Sequence, residues 1–295
     1  MTLQCEQLPR ISVVTPTFNQ GEFIEKTIQS VLSQNYPNLE FIIIDGGSTD
    51  NTIDIIKKYE EYLTYWVSEP DRGQSHAINK GMAKATGDIL TWLNSDDWYL
   101  PGTLEYFSKT FQNNPEIGMV VGSGRIVDLS GNEIYYIEPN PTIDLNSLYS
   151  WMNGGNFLQP SSAFSRAAWE QVGPIDESIH IAMDLDLWLR MAENGIKFIS
   201  TDSLLSEALS HPNAKTTAFE KLMLLDCAMV IIQHGGKKHV EKQLTDIINK
   251  YCWYEKNYQA IIQNPVIRFL RPIIKRLAKN EDQYWSEFIP PWVKH

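Results

Sequence analysis

The sequence is poor in cysteine. Cys5, Cys227 and Cys252 are the only three in 295 residues, and no two stand in a C-x-x-C spacing. A disulfide framework and a cysteine-built zinc site are excluded, and a reducing compartment is expected. Long apolar runs are missing as well. The greasiest stretch, LMLLDCAMVII at 222–232, is too short to span a bilayer and contains Asp226, so it reads as a buried helix. The opening MTLQCEQLPR has no apolar segment of the kind a secretion signal needs, and a cytoplasmic location is expected. Positive charge is short: 25 Lys and Arg face 36 Asp and Glu, for a net charge of −11. That disfavours nucleic acid as a partner. The deficit is uneven, because residues 237–280 hold ten basic against three acidic side chains. Glycine and proline are too few for a fibrous or disordered chain. Two nucleotide signatures are also absent. Where a dinucleotide fold wants G-x-G-x-x-G after its first strand, TPTFNQG stands, and there is no Walker sequence.

Apolar residues make up 43% of the chain, enough for one large domain with an appendage. Strand-like runs, ISVVT (11–15), EFIII (40–44), LTYWVS (63–68) and DILTWL (88–93), alternate with helical patterns at 23–34, 51–60 and 74–85. In the first helix Phe23, Ile24, Thr27, Ile28, Val31 and Leu32 recur at helical spacing, and Asp50 is placed to cap the second. The strands are nearly continuous in apolar residues, which marks a parallel sheet covered on both faces. MVVGSGRIVDLSGNEIYYI (119–137) predicts a hairpin at a sheet edge. DLDLWLRMAENG (184–195) predicts a helix, KFIST (197–201) a short strand, and the chain beyond about 218 is expected to be helical with a break near Pro265. The fold class is α/β: a mostly parallel, Rossmann-like sheet with helices on both faces and a helical C-terminal extension.

In such sheets ligands bind beyond the carboxyl ends of the strands. TPTFNQG, DGGSTD and NSDD follow strand ends directly, so all three face one rim. Asp96 and Asp97 are adjacent there and repel one another unless something positive joins them. A solvent-exposed loop that caps the next helix is one reading. The other is a hard cation, Mg2+ or Mn2+, held between carboxylates and a diphosphate, for which the protein need supply only one or two ligands. Asp45 in DGGSTD can accept hydrogen bonds from a base or sugar, although a Gly pair after a strand also makes a plain turn. Asp184 opens a helix after the irregular stretch 151–168, and a carboxylate in reach of a hydroxyl suits group transfer to an alcohol. Asp186, in the same first turn, suits the helix dipole.

Three blocks stand in one order: VVTPTFNQGEFIEKTIQSVLSQNYPNLEFIIIDGGSTDNT, SEPDRGQSHAINKGMAKATGDILTWLNSDDWYLPG and FSRAAWEQVGPIDESIHIAMDLDLWLRMAENG. Together they resemble the family 2 glycosyltransferases of the GT-A fold, over about residues 10–205. The resemblance implies transfer of one sugar from a nucleotide-diphosphate donor, with inversion, to a glycan or lipid-linked acceptor. A UDP-sugar is the first choice of donor, with GDP and dTDP as alternatives. Pro16, Phe18 and Asn19 would line the nucleotide pocket, and Asp45 would hold base or ribose. Asp71, Gln74, Asn79 and Lys80 join the donor side. Asp97 would be the firmer ligand of Mn2+ or Mg2+, with Asp96 shared between metal and donor. Asp184 would be the base of the family's E-D pair. Trp151, Asn156, Phe157, Gln159 and Pro160 are candidates for the acceptor side, where aromatic rings suit sugar faces; core packing explains the rings equally well. The division implied is a catalytic domain at 1–215, with a donor half at about 10–100 and an acceptor half at about 101–215, followed by an extension at 216–295.

Three departures stand out. D-D-G-S reads Asp45-Gly46-Gly47-Ser48, the E-D pair reads Met183-Asp184, and the Q-x-x-R-W motif of processive synthases is missing. A one-sugar, non-processive enzyme is expected. PVIRFLRPIIKRLAK (265–279) interleaves apolar and basic residues as a helix lying on an anionic bilayer surface would, and equally as a helix packed on the domain would. The rival readings are a sugar nucleotidyltransferase, which should carry an early Gly-rich loop with basic residues, and a noncatalytic nucleotide- or glycan-binding protein.

Overall fold

A computed structural model describes residues 8–153, 157–212, 214–215 and 220–263. Strands β1 (Ile11–Thr17) and β2 (Leu39–Asp45) show why the apolar runs are continuous. Ile11, Val13, Phe41 and Ile43 enter a core on one face of the sheet, whereas Val14, Ile42 and Ile44 enter a core on the other. Successive side chains point to opposite faces, so a strand covered on both sides needs apolar residues at every position. Helix α1 (Ile24–Leu32) closes the first core through Ile24, Ile28 and Val31. Helix α2 (Thr52–Lys58) adds Ile55 and Ile56 to it. The N-cap of that helix is Asn51 rather than the expected Asp50, and it makes no side-chain cap bond; Asp50, one residue earlier, accepts from the backbone N–H of Thr52 at 3.0 Å.

Strand β3 (Tyr65–Ser68), helix α3 (Gln74–Lys84) and strand β4 (Ile89–Trp92) complete a parallel half. Ala77, Ile78 and Met82 of α3 pack in the second core. After the short β5 (Asp97–Tyr99) and helix α4 (Thr103–Asn113), the hairpin β6 (Met119–Val127) and β7 (Glu133–Ile137) forms as predicted. Helix α5 (Leu145–Tyr149), strand β8 (Ser162–Ser165), helices α6 (Arg166–Val172) and α7 (Met183–Glu193) and strand β9 (Phe198–Leu209) follow. The sheet order is β3-β2-β1-β4-β8-β6-β9-β5, with β7 on β6. The first four strands are parallel, and β8 enters antiparallel to both β4 and β6. Beyond β4 the sheet is therefore mixed.

Three expectations need correction. β6 is not at the edge; it lies between β8 and β9, and only β7 is peripheral. The strand expected at 197–201 runs on to Leu209. Its polar residues hid it, and they are paired inside: Ser206 with Ser161 at 2.6 Å, and Glu207 with Trp98 and with Arg125 Nε at 2.7 Å. Helix α8 (Glu220–Gln233) is helical as expected but is not buried all round. Cys227, Ala228, Val230 and Ile231 face the core, whereas Leu222, Leu225, Met229 and Ile232 are exposed.

The chain divides into compact units at 1–240 and 241–295. Helix α9 (Lys237–Gln263) supplies the described part of the second, where Trp253 and Tyr254 are exposed and in edge contact. The basic stretch 265–279 and Pro265 lie outside the described residues. Among the described residues no helix is long and apolar enough to cross a membrane.

A buried polar knot fixes where β1, β2 and β4 start. Burial pushes the Glu40 carboxyl up, but bonds from Ser12 and from Thr86 (N at 2.6 Å, Oγ1 at 2.8 Å), with Arg10 at 3.4 Å, outweigh it and hold the group below the usual range. Gly87 joins this knot by donating to Ser12 Oγ at 2.8 Å. A Cβ on Gly87 would meet the Ser12 nitrogen at 2.7 Å and the Arg10 carbonyl at 2.8 Å, both backbone atoms that cannot swing aside. Gly87→Ala should cost about 1–3 kcal/mol of stability, visible as a lower midpoint in urea unfolding; an unchanged midpoint would refute this tight approach.

Candidate functional site

The register of the parallel strands builds the site. Thr17 lies opposite Asp45, Val14 opposite Trp92, and Asp45 opposite Ser68. The chain therefore leaves β1, β2, β3 and β4 at one rim, as the sequence predicted. Because β8 is antiparallel to β4, the residues before it, from Phe157 to Ser161, reach the same rim. β9 is parallel to β6, so its carboxyl end delivers Leu209 and His211 there too. A cavity of about 900 Å³ opens at this rim, and the start of α7 forms part of its wall.

On the expected donor side, Pro16, Phe18, Asp71, Gln74, Asp96 and Asp97 line the cavity. Phe18 is 58% exposed. Gly46 also lines the wall, where a Cβ would come within 2.9 Å of Asp71. Asn19, Asp45, Asn79 and Lys80 stand off the wall and are engaged by the fold. Asn19, with φ of 52°, donates its backbone N–H to Ser48 Oγ at 2.7 Å and accepts from Thr49 N at 2.8 Å. It ties the β1 and β2 loops together. Asp45 is fully buried and accepts from Gly47 N (3.1 Å), Ser48 N (2.9 Å), Ser68 Oγ (2.5 Å) and the Ser48 hydroxyl. Its carboxylate shapes the DGGS turn from within. Asn79 bonds both backbone groups of Ile175, at 2.9 and 3.0 Å, and Lys80 pairs with Glu69 at 2.5 Å.

The two adjacent carboxylates differ in setting. Asp97 is buried at the start of β5, facing Ala208 across the strand pair. Burial first, then the charge of Asp96, pushes its carboxyl well above the usual range, against hydrogen bonds from Asn94 Nδ2 at 3.0 Å and the Leu209 backbone. Asp96 is half-buried and has His211 Nε2 at 3.1 Å from Oδ2. No Lys or Arg among the described residues forms an ion pair with either. The donor set is thus two hard oxygens with an imidazole beside them and unbalanced negative charge, which suits a divalent cation. No group of three or more His, Cys, Asp or Glu among the described residues could hold a metal by itself. A cation here would need oxygens from a ligand, consistent with an open, substrate-completed site.

Asp184 lines the same cavity. Burial pushes its carboxyl up to about 6, opposed by the Leu185 backbone N–H at 2.7 Å and by the charge of Lys215. Lys215 donates to Gln74 Oε1 at 2.8 Å, and Gln74 Nε2 donates to Asn94 Oδ1 at 2.7 Å. A chain of hydrogen bonds therefore runs from Lys215 through Gln74 and Asn94 to Asp97. On the expected acceptor side, Trp151, Phe157, Gln159 and Pro160 line the cavity, and Asn156 lies outside the described residues. Phe157 and Trp151 also pack on Trp188, at 4.5 and 5.1 Å between ring centroids, so these rings are core and wall at once. Gln159 is held by donating to the Trp92 carbonyl at 3.0 Å.

Three further residues belong to the site: Asn94 and Lys215 line the cavity, and His211 bonds Asp96. Asp226 does not line it but accepts from the backbone of Ile181 and Ala182, which do. Asn94 sits within the quoted NSDD, where the carboxylates drew attention away from it. His211 follows a strand whose length was not legible. Lys215 and Asp226 lie beyond the irregular stretch and in a greasy helix, where no local pattern points to a site.

The sequence profile described as Glycosyl transferase family 2 matches residues 12–172, a span that carries Asp96 and Asp97 and stops short of Asp184. An uncharacterized glycosyltransferase of Rickettsia typhi is 26% identical over 223 residues, covering 72% of this chain and 68% of its own. Chondroitin synthase of Escherichia coli is 28% identical over 194 residues, 64% of this chain but 27% of that much longer one. Among solved structures, S. aureus TarS 1–349 in complex with UDP has a TM-score of 0.59 at 19% identity, covering 80% of this chain and 70% of that one. A mannosyltransferase of Pyrobaculum calidifontis in complex with GDP-Man and Mn2+ has a TM-score of 0.56 at 19% identity, covering 90% and 83%. At such identities the structural likenesses establish the GT-A fold alone. With the family profile spanning more than half of the sequence and the rim of strand ends built as described, this chain belongs to glycosyl transferase family 2 and is a glycosyltransferase.

Proposed function

We propose that the enzyme moves one sugar from a nucleotide-diphosphate donor to a hydroxyl of a glycan or lipid-linked acceptor, by a single in-line displacement that inverts the anomeric carbon. The observation that carries this reading is one cavity lined both by a half-buried carboxylate, Asp184, and by an adjacent pair, Asp96 and Asp97. Asp184 would take the acceptor proton. A carboxylate poised at about 6 is mostly ionised at neutral pH yet more basic than an ordinary aspartate. Asp97, with Asp96 beside it, would hold Mn2+ or Mg2+, which would offset charge on the departing diphosphate. Phe18 and Pro16 would face the nucleotide, and Trp151 and Gln159 the acceptor. The solved relatives carry UDP in one case and GDP-Man in the other, which supports the donor class and leaves the base open. The role proposed for 265–279 at an anionic membrane surface, and with it a peripheral location, rests on sequence alone. So does a boundary between catalytic domain and extension near 215.

Of the two positions the family resemblance expects to be acidic only Asp184 is so; the Met183 sulfur accepts from Ser75 Oγ at 2.7 Å. Three outcomes test the proposed mechanism.

Titration with UDP, GDP, dTDP and CDP should show one nucleotide binding in Mn2+ and not in EDTA, and Asp97→Asn should remove the metal dependence. Metal-independent binding would remove the proposed role of the Asp96–Asp97 pair.

Asp184→Asn should lower transfer by about 10²–10⁴-fold, the usual worth of a general base, with nucleotide affinity retained. Persisting transfer would exclude Asp184 as the base.

The acidic limb of kcat/KM should have its midpoint near 6. Lys215 favours the ionised form of Asp184, so Lys215→Met should move that limb to higher pH; a limb that stays put would mean the charge of Lys215 does not reach the base.

A further inference from the structure

Helix α7 carries Asp184 one residue into its first turn, yet the residue at its N-cap, Ala182, has no side chain able to cap it. Unpaired N–H groups at a helix start need an acceptor from elsewhere. Here it comes from α8: Asp226 Oδ2 accepts from the backbone N–H of Ile181 and of Ala182, both at 3.0 Å. Those are the residues that lead into Met183 and Asp184. Helix α8 is itself fastened to α7 at its other end, where His234 Nε2 meets Asp186 at 2.9 Å and Nδ1 meets Glu193 at 3.0 Å. The Asp186 bond first and then, against the effect of burial, Glu193 raise the pKa of this imidazole.

We infer that Asp226 is a positioning residue of the transfer reaction: from a helix more than forty residues downstream, it fixes the turn from which Asp184 reaches the acceptor hydroxyl. This rests on Asp184 being the base. Three observations support it. Asp226 is partly buried, and its Oδ2 is engaged by backbone donors alone. The neighbouring position that the family resemblance expects to be acidic holds Met183, whose side chain is turned to Ser75 and offers α7 no anchor. Lys215 feels both carboxylates: burial lowers its pKa, whereas Asp184 and Asp226 each raise it, so the ammonium is shared between the base and its support. The next residue, Cys227, lines the cavity, so a shift of α8 at Asp226 is a shift of the cavity wall.

Substitution separates geometry from charge. Asp226→Asn keeps an acceptor oxygen at the same reach and loses the charge; Asp226→Glu keeps the charge and displaces the oxygen by a methylene. If Asp226 positions the base, D226E should lower kcat about 10²-fold, as misplacement of a reacting group by about an ångström does, with nucleotide affinity retained, and D226N should lose far less. D226N as impaired as D226E, both at wild-type kcat, or losses of kcat matched by losses of nucleotide affinity, would each overturn the inference. Asp184→Asn, assayed alongside, keeps the two levels apart. If D184N still transfers sugar, the base assignment fails; if D184N is inactive and D226E is not impaired, only the positioning role fails.

Discussion

The parallel register that pairs Ile11–Thr17 with Leu39–Asp45 governs where every functional side chain can stand. Parallel strands send all their carboxyl ends to one rim, and each strand needs apolar residues on both faces to stay between two helix layers. The rim is where backbone leaves the sheet, so charged residues are accommodated there more readily than inside the strands. Glu40 shows the cost of an exception. A carboxylate inside the sheet survives only because Ser12, Thr86 and Arg10 all turn to it.

At the rim the difficulty is negative charge. Asp96, Asp97 and Asp184 share a cavity whose wall includes one ammonium, Lys215. Desolvation pushes both Asp97 and Asp184 upward, and for Asp97 the charge of Asp96 adds to it. Lys215 relieves Asp184 directly, and through Gln74 and Asn94 it is wired to the Asp97 side. A divalent cation at Asp96 and Asp97 would relieve the other end. Under the proposed function, ligand and cation together would offset this charge.

The polar ties that assemble the walls are long-range. Asn19 joins two loops across the sheet, Arg72 reaches Glu177 at 2.6 Å, and His211 closes on Asp96. Helix α8 belongs to this set, since Asp226 and His234 hold it to both ends of α7. Asp45 and Asn79, which the motifs offered as ligand contacts, also make joints of this kind. A polar residue beside a site is as useful for fixing a loop as for touching a ligand, and only its partners tell the two apart.

Strand, helix and rim in the first hundred residues were legible because their signal is local: period, caps and turn residues lie within a few positions of each other. So were Asp96, Asp97 and Asp184, through motif order and the chemistry of carboxylates. The length of β9 was not, because Ser206 and Glu207 look like loop residues until Ser161, Trp98 and Arg125 are seen to pair with them. Nor was the one-sided exposure of α8, since apolar residues on nearly every side of the helix leave little asymmetry to say which face meets the core. By itself the sequence determined the parallel sheet, the rim and the acids on it. Tertiary structure alone decided which of those acids face the cavity, which are sealed in turns, and that His211 and Lys215 join them while Asp226 ties α8 to the start of α7. Burial and hydrogen-bond partnership are relations between residues far apart in the chain, and no local pattern encodes them.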